Sequence, residues 1–272
     1  MRRRVFFVSD RTGITAETLG ETLLTQFPDV EFTRTNVPFV TGPDKARQAL
    51  AQIQAAEAAD GEPALVFSTL TDTESQVIIG SGLRHVFDLF GTYIDPLERA
   101  LGVASSHTAG RMHGLNDHDA YDRRVEALNY TLDHDDGLNP KEYDQADVIL
   151  IGVSRSGKTP TCLYMAMHLH LKCANYPLND EDLQYPTLPA ALRRLRSRIF
   201  GLTIDPEQLS RIRNGRRPGS RYASVEQCRL ELQGAQRMYY NEGIASLDTT
   251  AVSIEEIATT IHQHFGFERP FR

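Results

Sequence analysis

The sequence predicts an α/β protein, with an N-terminal domain built on a parallel sheet followed by a C-terminal α/β domain of the P-loop kinase type. Three observations carry this. Short apolar, β-branched or aromatic runs recur along the chain, each followed by a helical pattern, as in parallel strands joined by crossover helices. The segment Gly152-Val153-Ser154-Arg155-Ser156-Gly157-Lys158-Thr159 fits the phosphate-loop pattern G-x-x-x-x-G-K-[ST] at every fixed position. Between the two regions the texture changes to a polar stretch rich in His, Asp and Gly. The expected division is therefore a domain over residues 1–104, a connecting helical segment over 105–143 and the loop-bearing domain over 144–272.

In order, Val5-Phe6-Phe7-Val8 reads as a buried strand. The turn Ser9-Asp10-Arg11-Thr12-Gly13 leads to a helix that Thr15 can cap and that runs to about residue 27. Thr12, Gly13 and Thr15 near that helix start suit either an anion site or simple turn chemistry, and both readings stay open. A strand at 30–40, a helix opened by Gly42-Pro43, a strand at 64–68 and a helix at 74–83 follow. A strand at 85–90 and a short helix at 94–101, started by Pro96, complete the domain.

The connecting segment carries one helical pattern over 121–132, with Val125, Leu128 and Leu132 on one face. Its His107, His113, His118, Asp133, His134, Asp135 and Asp136 show no metal-ligand spacing, so a solvated, capped linker is expected. His113 and Asp122 are noted as polar groups near a domain junction.

The loop has the flanks its pattern requires. Residues 147–151 form an apolar, β-branched run, and after the loop comes a helix former with Pro160 in its first turn, where no N–H is needed. Gly152 and Gly157 let backbone N–H groups approach phosphate oxygens, and the helix N-terminus adds unpaired donors. Lys158 is expected to reach the terminal phosphates, Thr159 to ligate Mg²⁺, and Arg155 to add a second cation. Beyond the loop, 172–176 reads as a strand followed by Asn179-Asp180-Glu181-Asp182. Asp180 and Asp182 are candidates for a general base or Mg²⁺ partner, against the alternative of a solvated acidic turn. Residues 193–198 read as a basic helix and 200–205 as a strand, with Asp205 more suited to capping the next helix than to metal binding. Arg211, Arg213, Arg216, Arg217 and Arg221 surround Asn214-Gly215 and Pro218-Gly219, which suits a loop that closes over phosphates, an exposed turn or a docking surface. An amphipathic helix at 225–239, a strand at 243–247 and a capping box at Ser253 with Glu256 end the chain. No internal repeat is evident.

Composition narrows the function classes. At 272 residues, 40% apolar and 24% charged, the chain can bury a sizeable core. Its net charge of −7 argues against broad nucleic-acid binding. Cys162, Cys173 and Cys228 have no C-x-x-C spacing and read as reduced thiols without a metal role. No run approaches the ~20 apolar residues of a membrane span, so a cytoplasmic protein is expected.

Several segments together resemble one family. They are Val8-Ser9-Asp10 with Thr12-Gly13-Ile14-Thr15-Ala16-Glu17, His113-Gly114-Leu115-Asn116, His134-Asp135-Asp136-Gly137, the loop itself with Pro160-Thr161, Ala174-Asn175-Tyr176-Pro177, residues 200–206, and Ser220-Arg221-Tyr222-Ala223-Ser224. Across essentially the whole chain these segments are similar to the phosphoenolpyruvate synthase regulatory proteins, bacterial relatives of the plant regulators of pyruvate, phosphate dikinase. Cys162 stands where the pattern leads one to expect a small hydroxyl residue. The resemblance implies a bifunctional enzyme. It would use ADP to phosphorylate and inactivate a threonine of phosphoenolpyruvate synthase, and would remove that phosphate with inorganic phosphate, releasing pyrophosphate. Residues 152–159 would bind the nucleotide, Lys158, Thr159 and Asp180 would carry catalysis, and Thr159 would hold Mg²⁺. A homodimer is admitted by the sequence but not required. Without the resemblance the residues stop at a phosphate-loop phosphotransferase, which leaves open a kinase of a small metabolite or a nucleotide-sensing module that transfers nothing.

Overall fold

The computed structural model describes residues 1–106 and 118–268. Contacts divide the chain into two compact units, Met1–Leu115 and Asn116–Arg272. Each is an α/β layer structure around a four-stranded parallel sheet, as the sequence predicts.

In the first unit the elements are β1 (Arg2–Ser9), α1 (Ile14–Leu24), β2 (Glu31–Val37), α2 (Pro43–Asp60), β3 (Leu65–Thr69), α3 (Thr73–Gly82), β4 (His85–Asp88) and α4 (Leu89–Leu101). The sheet order is β2-β1-β3-β4. Val5 to Val8 of β1 are buried on both faces, as expected of a central parallel strand. Thr15 does not cap α1: Gly13 does, in the left-handed region at φ 84°, without a side-chain bond. The strand expected to reach residue 90 stops at Asp88, whose carboxylate accepts the N–H groups of Phe90 and Gly91 and starts α4 there. Pro96 therefore lies inside α4 and does not begin it.

The second unit contains α5 (His118–Asp133), 3-10 turns at Asp135–Gly137 and Pro140–Gln145, β5 (Val148–Gly152), α6 (Lys158–Leu169), β6 (Cys173–Pro177), α7 (Asp180–Gln184), a 3-10 turn at Arg193–Arg198, β7 (Ile199–Thr203), α8 (Pro206–Arg216), α9 (Val225–Glu242), β8 (Ser246–Asp248) and α10 (Ile254–Phe265). Its sheet order is β6-β5-β7-β8. The first and second units thus share one topology, with the first strand central and the second strand on one side of it.

Three expectations change. The segment 105–143 is not a connector along its length, because from Asn116 onward it belongs to the second unit. Within it α5 buries Ala127, Tyr130 and Thr131, while Val125 and Leu132, read as its apolar face, are exposed. Thr131 accepts the N–H of Cys173 and so ties α5 to β6. The arginine-rich segment is also not a loop throughout: α8 runs through Arg211, Arg213 and Gly215, held by the buried face Leu209, Ser210 and Arg213. Asp205 caps α8 by accepting the N–H of Gln208, and Ser253 with Glu256 forms the expected capping box of α10.

The centre of this sheet is braced from one side. Tyr239 of α9 is buried, and its hydroxyl donates to the carbonyls of Ile151 and Leu202 at 3.2 and 3.3 Å. A Cβ on Gly201 would lie 2.7 Å from the Tyr239 ring, so glycine is what lets α9 seat there. The cysteines Cys162, Cys173 and Cys228 are buried and free.

A phosphate-type loop with two carboxylates at its mouth

The loop between β5 and α6 has its form dictated locally. A Cβ on Gly152 would meet the Leu202 carbonyl at 2.7 Å and the Ser156 hydroxyl at 2.8 Å. Arg155 (φ 74°) and Gly157 (φ 93°) both take the left-handed region, which reverses the chain and aims it into α6. The first-turn amides of α6 have no intrahelical acceptor, so an anion is the natural partner of this helix start.

Lys158 is buried and folded back, its ammonium donating to the carbonyls of Gly152 and Val153 at 3.0 Å each. Burial lowers its pKa to about 8, against the opposing pull of Asp136 and Asp135. The Ser156 hydroxyl is buried with no hydrogen-bond partner among the described residues. Arg155 is exposed at the rim.

Two acids that the sequence reading assigned to a solvated linker stand at the loop. The Thr159 hydroxyl donates to Asp135 at 2.8 Å. Asn175 of β6 donates to the same carboxylate and, at 3.3 Å, to the Thr159 oxygen. The backbone N–H of Asp136, at φ 51°, donates to the Asn175 side-chain oxygen at 3.1 Å. Behind them Tyr143 donates to the Asn175 carbonyl, and buried His134 donates from Nδ1 to the Tyr130 carbonyl. Asp135, Asp136, Arg155, Lys158, Thr159 and Arg216 line a cleft of about 540 Å³.

The loop is also braced from behind. Arg213 is wholly buried and forms a two-armed pair with Glu231, at 3.1 and 2.6 Å. The same guanidinium donates to the Ser154 carbonyl (3.1 Å) and the Tyr222 carbonyl (3.0 Å), and lies 4.1 Å above the Tyr222 ring. Tyr222 in turn shares a 2.9 Å hydroxyl bond with Ser154. Arg213 therefore holds the loop and is not free to fold over a ligand. Arg216 and the exposed Arg221 do reach the clefts.

The remaining candidates separate. Asp180 is exposed at the start of α7 and lines a second cleft, not the one at Lys158. Asp182 accepts the N–H of Asn179 in a capping box. Asp122 is exposed on α5; His107 and His113 lie outside the described residues.

The fit to ligands can be judged from these groups. The first-turn amides of α6, a lysine held by two carbonyls, and a buried hydroxyl without a partner among the described residues suit a polyphosphate. Thr159 and Asp135 present two hard oxygen donors side by side, the kind of pair Mg²⁺ accepts while keeping waters.

The family model described as kinase/pyrophosphorylase matches residues 5–262. A protein of Marinobacter nauticus is 48% identical over 269 residues, covering 99% of both chains. One from Halorhodospira halophila is 53% identical over 264 residues, 96% of each chain, and one from Hahella chejuensis is 46% identical over 272 residues and the full length of both. All three carry the name "Putative phosphoenolpyruvate synthase regulatory protein".

Proposed function

The chain belongs to the kinase/pyrophosphorylase family, and from that premise we propose that it is a bifunctional regulator of phosphoenolpyruvate synthase. In one direction it moves the β-phosphate of ADP to a threonine hydroxyl of that enzyme, releasing AMP. In the other, an oxygen of inorganic phosphate attacks the phosphorus of the phosphothreonine, the threonine oxygen departs, and the pyrophosphate so formed is released. The observation that carries the reading is the pairing of a complete phosphate loop with Asp135 and Asp136 at its mouth. The names of the relatives support the choice of protein substrate.

Phosphoryl transfer requires groups held in line and charge neutralised more than covalent help. Lys158 exchanges the Gly152 and Val153 carbonyls for phosphate oxygens, and the loop amides hold the group that moves. Thr159 and Asp135 would hold Mg²⁺, which would supply positive charge against the charge developing on the transferring phosphate. Asp135 is committed to Thr159 and Asn175, so Asp136 is the carboxylate that takes the threonine proton as the oxygen–phosphorus bond forms. In the reverse direction Asp136 returns a proton to the departing threonine oxygen. A cationic loop that accepts the phosphates of ADP can accept phosphate and pyrophosphate, so one site serves both directions.

The test uses ADP labelled in its β-phosphate, offered with purified phosphoenolpyruvate synthase and, separately, with a panel of hydroxyl metabolites. Label on a threonine of the enzyme, removed again by phosphate as pyrophosphate, is the expected result. Label on a small metabolite alone would replace this reading with that of a small-molecule kinase.

A further inference from the structure

Beside the loop cleft lies a second one of equal size, about 540 Å³, and the two share Asp136 and Ser154. We propose that this second cleft receives the polypeptide segment that carries the accepting hydroxyl, with Asp180 and Arg221 as its specificity-determining side chains. The assignment rests on the functional reading above and adds to it the place of the protein substrate.

Sidedness is the first argument. Attacking and leaving oxygens must lie on opposite sides of the phosphorus. The loop cleft opens along the start of α6, past Thr159 and Pro160, which is where the rest of a nucleotide can run from a phosphate held by the loop. The second cleft meets the loop at Ser154, beside Tyr222 and Glu231, and continues along Pro177 and Leu178 at the carboxyl end of β6. A hydroxyl entering there reaches the phosphate past Asp136, the one acid among the described residues that lines both clefts.

Chemistry is the second argument. The aromatic ring of this cleft, Tyr222, already has Arg213 over it at 4.1 Å, and its hydroxyl is bonded to Ser154. The floor at Pro177 and Leu178 is apolar, while Asp180 and Arg221 stand exposed on the walls. Glu231 is also part of the wall, but its charge is neutralised by Arg213. Apart from Asp136, the cleft thus offers one exposed acid and one exposed base beside an apolar floor, which suits the alternating donors and acceptors of an extended chain.

Steady-state kinetics with phosphoenolpyruvate synthase as acceptor, and calorimetry with ADP, test the assignment. Asp180→Lys and Arg221→Glu alter exposed positions. Each is expected to raise KM for the acceptor protein about tenfold, with the Kd for ADP held within about twofold. A weakened ADP affinity with an unchanged acceptor KM would give the cleft to the nucleoside and overturn the proposal. Unchanged values of both would overturn it too. Absence of any transfer by the wild-type chain would fail the functional reading itself and take this assignment with it, an outcome told apart by the wild-type control.

Discussion

The two units offer a controlled comparison, because the same topology carries two similar turns. In the first, β1 leads through Asp10-Arg11-Thr12-Gly13-Ile14-Thr15 into α1. In the second, β5 leads through Ser154-Arg155-Ser156-Gly157-Lys158-Thr159 into α6. Both helices begin after a left-handed glycine, at φ 84° and 93°. What differs is charge and bracing. Lys158 is buried under its loop, whereas Ile14 in the same place is 60% exposed. Asp10 turns inward and accepts the N–H and hydroxyl of Thr71 at 3.1 and 2.6 Å, so the first turn carries a carboxylate tied to the chain after β3. In the second, a carbonyl of the loop is held by a buried arginine. A strand–turn–helix cradle is thus a product of topology, and only the side chains placed in it decide whether an anion is welcome.

Four measurements can break or sharpen that contrast. The largest effect is expected at the braces. Arg213→Ala would strand Glu231 and should destabilise the second unit by about 3–5 kcal/mol. Asp10→Ala, which leaves only neutral donors unpaired, should cost about 1–3 kcal/mol. Denaturant melts of the two variants would check the order, and equal losses would mean that the two turns are braced alike.

Next is Lys158→Ala, for which transfer and phosphate-dependent removal should both fall at least about a hundredfold, near 3 kcal/mol. Survival of one activity would require a second phosphate site.

Third comes pH. Burial lowers the folded pKa of Lys158 to about 8 from the ordinary lysine value of 10.5. The charged form therefore costs stability below about pH 8, and that cost is relieved as pH rises from 8 toward the unfolded value, where the unfolded chain binds the extra proton. Anion binding has the opposite slope, since it needs the ammonium. ADP affinity should fall roughly tenfold between pH 7 and pH 9. Calorimetry should find that slope removed in Lys158→Arg.

The smallest effect is the most pointed. Ile14→Lys restores the missing cation to the first turn, yet Asp10 remains in place, so the ADP stoichiometry should stay at one per chain. A second equivalent would show that the lysine alone makes the site.

The loop was legible because its residues are contiguous and each has a local role, and Asp205 and Ser253 were legible as caps for the same reason. Asp135 and Asp136 were not, because what makes them functional is the return of the chain after α5 onto β6, a long-range packing event without sequence spacing. One local signal existed: Asp136, Gly137 and Asn139 all adopt positive φ, and a run of residues tolerant of that region marks a specially shaped backbone. Arg213 was misread for a different reason. Gly215 and the density of arginines suggested a loop, but burial of Leu209, Ser210 and Arg213 on one helical face outweighs the poor local propensity.

Tyr239 has a consequence for how the site comes into being. The residue that bridges the carbonyls of Ile151 in β5 and Leu202 in β7 lies 88 positions beyond Ile151. A nascent chain that has already delivered the whole loop still lacks the helix that fixes the loop's first strand, and loop closure over such a span is costly until the partner arrives. Nucleotide binding should therefore mature late in synthesis, after α9 has emerged, and a chain truncated before residue 225 should carry the loop's letters without its grip.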